Sequence, residues 1–106
     1  MIGRIEQLTQ FIQEDPSDPF PRYALALEYL KTNPGQARIE FETLVKQHPN
    51  YLPTYYPAAH LMIEIGMEHE AEKLFLRGMD IARQQKNAKA EQELKAAYNV
   101  WQVERD

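Results

Sequence analysis

Histidines paired with carboxylates are the residues in this chain whose types and spacing come nearest to a reactive arrangement. His60 and Glu64 stand one helical turn apart, and His69-Glu70 begins an H-E-x-x-H pattern. In that pattern two histidines hold zinc and the glutamate serves as general base. The second histidine is missing, because Lys73 occupies its place. The zinc-protease arrangement therefore fails, and an isolated His/Glu pair at this spacing is common on ordinary helices.

Other chemistries fail on similar grounds. Ser17 is the only serine and sits in a proline-flanked turn with no histidine nearby. Gly3, Gly35, Gly66 and Gly78 never cluster, so no loop can cradle a phosphate. With no cysteine, disulfides, thiolate metal sites and thiol nucleophiles are excluded. Glu64, Glu68, Glu70 and Glu72 are answered by Lys73 and Arg77, which is the spacing of a solvated helix face. No catalytic residue, metal ligand or cofactor site is expected, and the chain reads as non-enzymatic.

Bulk properties narrow the partners. The chain has 106 residues, enough for a single domain of residues 1–106, with 43% hydrophobic content. A mean hydropathy of −0.62 suits a soluble globular protein. The formal charge of −4 offers no basic face for nucleic acid or an anionic membrane. No stretch approaches the apolar length of a membrane span, and Arg4 and Glu6 interrupt the segment where a signal peptide needs an apolar run. The expected partner is a protein or peptide, and the expected compartment the cytoplasm.

The positioning elements all read as helices. Ile2, Ile5, Leu8, Phe11 and Ile12 recur at helical spacing over about 2–14, and Asp15-Pro16 ends that run. Asp18 is placed to cap a second helix opened by Pro19, continuing to about Lys31. Asn33 and Pro34 cap and open a third, closed by His48-Pro49, with Ala37, Phe41, Leu44 and Val45 on its apolar face.

Residues 50–63 contain no Asp, Glu, Lys or Arg, which marks a fourth helix buried on two sides. Pro57 within it leaves two alternatives: Thr54 caps the helix, or the helix kinks at Pro57. A fifth helix is expected over about 68–85, with Ala71, Leu74, Phe75, Gly78, Met79 and Ala82 facing inward. Asn87 breaks it from a sixth, about 88–104, that presents Leu94, Ala97, Tyr98 and Trp101. No strand is expected.

A repeat runs through these elements. Pro16 and Pro49, Tyr23 and Tyr56, and Ala26 and Ala59 are each 33 residues apart; Ala37 and Ala71, and Phe41 and Phe75, are each 34 apart. Ala59 and Ala71, on either side of Gly66, mark the crossing of a helical hairpin, because small residues let two helices approach closely. Two helices in a period of 34 residues resemble the tetratricopeptide repeat, with its W-x2-L-G-x2-Y, A-x3-F and P pattern. One copy reads Arg22-x2-Leu25-Ala26-x2-Tyr29, Ala37-x3-Phe41 and Pro49. The next reads Tyr55-x2-Ala58-Ala59-x2-Met62 and Ala71-x3-Phe75. Arg22 stands where the family favours a large aromatic, Met62 where it favours tyrosine, and Arg83 where it closes with proline.

The resemblance implies an all-α, right-handed stack of antiparallel helical hairpins, about six helices in all. Residues 1–16 would form a leading half-repeat, 18–49 and 51–86 two repeats, and 88–104 a terminal capping helix. It further implies a scaffold that binds a peptide or partner subunit on the inner face lined by the first helix of each hairpin. On this sequence that face comprises Phe20, Tyr23, Leu27, Leu30, Tyr56 and His60. Some members grip a partner's terminal carboxylate with Lys, Arg and Asn at these positions. None of those types is present, so hydrophobic anchoring is expected instead. The expected state is a monomer or a weak homo-oligomer; the alternative function is a structural module that pairs with copies of itself, and a metal-dependent helical enzyme ranks below both.

Overall fold

A computed structural model describes residues 2–105. The fold is all-α: six α-helices and one 3₁₀ turn, with no strand among the described residues. The packing divides into two compact units, Met1–Thr54 and Tyr55–Asp106.

In the first unit, α1 (Arg4–Glu14), α2 (Pro19–Leu30) and α3 (Pro34–Gln47) pack in sequence order as antiparallel neighbours. Their ends follow local chemistry. The Asp18 carboxylate accepts from the Phe20 N–H at 3.0 Å, and the Asn33 side chain accepts from the Gln36 N–H at 3.1 Å. Each occupies a donor that the helix start leaves unpaired, an interaction of about 1 kcal/mol, and a proline follows each cap where its missing N–H costs nothing. Leu8, Leu25, Ala26, Ala37, Phe41 and Leu44 are buried. Ala26 and Ala37 are fully enclosed, which places the small residues at the α2/α3 contact.

A buried carboxylate lies in the same contact. Glu40 falls on the apolar stripe of α3, three residues after Ala37, and is only 6% exposed. Arg22 of α2 pairs with its Oε1, and the Gln36 amide donates to its Oε2 at 2.8 Å. A lone carboxylate there would be costly; paired and hydrogen-bonded it is tolerated. The arginine in place of the family's aromatic thus has a partner within its own hairpin.

The second unit consists of α4 (Tyr55–Glu64), α5 (Glu68–Gln84) and α6 (Ala88–Glu104), again packed between sequence neighbours. The 3₁₀ turn Leu52–Thr54 runs directly into α4. Of the two alternatives for Pro57, the helix starts directly after Thr54 as the first has it, but Thr54 provides no side-chain cap: its hydroxyl is buried and makes no hydrogen bond among the described residues. The helix has no need to kink, since Pro57 is its third residue and lies in the turn whose N–H groups have no partner within the helix.

Both α4 and α5 end in the same backbone motif. The Met67 N–H reaches the Met62 carbonyl at 2.8 Å around Gly66 (φ 80°), and the Asn87 N–H reaches the Ala82 carbonyl at 2.8 Å around Lys86 (φ 58°). The left-handed residue is glycine in one and lysine in the other. Ala59, Ala71, Phe75 and Ala82 are fully enclosed. Trp101, at 6% exposed, stacks within 5.8 Å of Phe75, with the Arg105 guanidinium 4.2 Å above it. Arg105 also reaches Glu72 at 3.1 Å and Glu68 at 3.3 Å, joining the end of α6 to the start of α5.

Candidate functional site

The residues expected on an inner face occupy a recess on each unit. In the first, Phe20, Tyr23 and Leu27 line an open recess of about 370 Å³, together with Arg4 of α1, Glu28 of α2 and Lys31, which follows α2. Phe20 is 57% exposed, while Tyr23 is half-buried. The Tyr23 ring meets Tyr51 edge-on at 5.7 Å. Burial raises both phenols above their ordinary range, and at Tyr51 the neighbouring Tyr23 and Asp18 add to it. Lys31 is held by Glu28 at 3.2 Å. Leu30 is half-buried and lies outside this recess.

In the second unit Tyr56 and His60 project one turn apart from α4, with ring centroids 4.6 Å apart. His60 also meets Phe75 edge-on at 5.9 Å. Its Nε2 is buried and has no hydrogen-bond partner in the unit. Together with Ile63 these side chains form one wall of a cavity of about 510 Å³. The opposite wall is a face of α6: Glu93, Ala96, Ala97, Val100, Trp101 and Glu104. Tyr56 is 43% exposed, so its ring belongs to the surface and not to the core.

Sequence reasoning treated α6 only as a cover and missed its part in this wall. The i, i+4, i+8 recurrence of Ala96, Val100 and Glu104 carried the signal, but alanines and glutamates on a helix read equally well as solvated surface. Chemically, both recesses offer aromatic and aliphatic contact area with few polar groups. Among the described residues no three His, Asp or Glu side chains come together as metal ligands. None of the described helices is long and apolar enough to cross a membrane.

A solution NMR structure of a tetratricopeptide repeat domain protein from Salinibacter ruber is similar to this chain at 39% identity. It matches over 78% of this chain and 85% of its own length, with a TM-score of 0.73. The chain belongs to the tetratricopeptide repeat family. A crystal structure of a tetratricopeptide repeat domain protein from the same organism matches at 38% identity, over 76% of this chain and 90% of its own, with a TM-score of 0.71. No protein-family model and no curated protein matches the sequence. Tetratricopeptide helical repeats typically serve as protein-interaction scaffolds and are generally non-catalytic. The two recesses border α2 and α4.

Proposed function

We propose that this tetratricopeptide repeat protein is a non-catalytic interaction module. It takes a peptide or partner subunit on the aromatic and apolar surfaces formed by Phe20, Tyr23 and Leu27 on one unit and by Tyr56 and His60 on the other. The observation that carries the reading is the placement of Tyr56: an aromatic ring 43% exposed, lining a cavity, in a chain with ample core to hide it. Large aromatic rings at a cavity mouth are the residue types that anchor partners most strongly.

The test compares the protein with its Tyr56→Ala variant as bait in an extract of the native cell. Partner capture should be lost while the melting temperature stays nearly unchanged, because the side chain is 43% exposed and not among the buried core residues. Capture that survives Tyr56→Ala and Tyr23→Ala together would remove these surfaces from the function. Light scattering across a concentration series separates this reading from self-association: a concentration-independent monomer leaves the module reading standing.

A further inference from the structure

The cavity on the second unit has a charge pattern that points to the kind of partner it fits. Along α6 its wall carries two small residues, Ala96 and Ala97, between carboxylates at Glu93 and Glu104. Eleven residues of helix separate those carboxylates, roughly 16 Å or three turns. Neither meets a basic side chain among the described residues. Arg83 is committed to Asp80 and Glu91, and Arg105 to Glu68 and Glu72, while Lys89, one turn before Glu93 on α6, forms no ion pair among the described residues. The trough between the carboxylates is mainly apolar and aromatic, walled by Val100 and Trp101 on α6 and by Tyr56, Ile63 and the His60 imidazole on α4.

We propose that this cavity receives an amphipathic helix of a partner protein, its apolar face in the trough and Lys or Arg side chains near its two ends set against Glu93 and Glu104. The proposal rests on the module reading above and specifies the occupant. Two features favour a helix. Ala96 and Ala97 leave room for a third backbone at the 8–10 Å or so separation of packed helices, and each wall is one face of a helix, about two turns of α4 and three of α6. The end carboxylates favour a basic partner: an acidic one would meet two uncompensated charges on a chain of net charge −4. The same charges disfavour nucleic acid and anionic lipid.

Trp101 is the only tryptophan and lines the cavity, so its fluorescence reports occupancy directly. The probe is a synthetic amphipathic peptide of about eighteen residues with two lysines about eleven apart, which matches the carboxylate spacing. It should bind at least about tenfold more tightly than the same peptide with glutamates at those two places, and more weakly as salt rises. The Glu93→Lys, Glu104→Lys double variant should reverse that preference while circular dichroism stays unchanged. Equal affinity for the two peptides would overturn the charge assignment and leave the module reading intact. A proline-interrupted basic peptide that binds as well as the intact one would overturn the helical occupant. A Trp101 signal that changes with protein concentration alone would mean that a second copy fills the trough, and the proposal would be wrong. Absence of binding by every peptide would also overturn it, whereas the module reading is decided separately by loss of capture in Tyr56→Ala.

Discussion

Tyr55 and Gly78 hold α4 and α5 so close that a Cβ added to the glycine would lie 2.7 Å from the tyrosine's own Cβ. It would also meet Leu94 of α6 at 3.1 Å, so the three helices of this unit converge on a position with no side chain. Tyr55 is fully buried, and its Cβ is attached to backbone that cannot swing aside as a side-chain tip can. The glycine is therefore required by space and not by backbone conformation.

Gly78→Ala should accordingly destabilise the protein by about 1–3 kcal/mol, the usual range for overpacking a core. The gain in helix propensity, up to about 1 kcal/mol, opposes this but does not cancel it. Urea denaturation followed by circular dichroism measures the difference. A variant as stable as the parent would mean that α4 and α5 are farther apart than described.

The Arg22–Glu40 pair gives a second test. Arg22→Ala leaves a nearly buried carboxylate with only the Gln36 amide, and should cost about 1–3 kcal/mol. The arginine is a quarter exposed, which keeps the figure below that of a fully buried pair. Adding Glu40→Leu to Arg22→Ala should recover most of the loss, since the leucine completes the apolar stripe of α3. A double-mutant cycle by chemical denaturation reads both effects.

Stability should decline in strong alkali. Burial raises the phenols of Tyr23, Tyr51 and Tyr55 above the ordinary value of 10.0, with the Arg77 guanidinium partly opposing it at Tyr55. Above about pH 10 the unfolded chain releases these protons while the folded chain retains them, so unfolding becomes easier as pH rises. Below that pH both states hold the protons and the contribution is fully present. The melting temperature of Tyr23→Phe should fall less steeply beyond about pH 10 than that of the parent, and the two slopes should coincide at neutral pH.

Deletion from Ala88 onward should abolish cooperative melting of the second unit. It removes Tyr98 and Trp101 from against Phe75 and takes Leu94 from the Gly78 contact, exposing a broad apolar surface on α5. A soluble truncation with a sharp transition by calorimetry would contradict the role given to α6.

Most helix boundaries were legible because their causes are local. Asp18-Pro19, Asn33-Pro34 and Asn87 each signal a start within two adjacent residues or one, and the structure begins helices there. The turn before α4 was not legible: three residues of 3₁₀ helix carry no periodicity, and Thr54 looks like a cap although its hydroxyl makes no bond. Gly78 was expected to face inward, but the closeness of its contact depends on Tyr55, 23 residues earlier, which only the packed hairpin brings alongside. Arg22 was visible as a departure from the repeat, but that it answers Glu40, buried on the stripe of Ala37, Phe41 and Leu44, required the fold. Of the expected binding residues, Phe20, Tyr23, Leu27, Tyr56 and His60 line recesses and Leu30 does not. The α6 wall was missed because its residues are individually unremarkable on a solvated helix.

Within each unit the extensive helix contacts join only neighbours in the chain: α1 with α2, α2 with α3, α4 with α5, and α5 with α6. Short turns close every one of these pairs, so little chain entropy is lost before native contacts begin to form. Proteins built from such local pairings fold in microseconds to milliseconds, far faster than sheets of similar size. A hairpin of this chain can thus begin to pair as soon as its second helix is synthesised, and in the second unit α6 then completes the packing. Refolding from urea should be correspondingly rapid, and the ribosome rather than the search for partners should set the pace at which the native state appears.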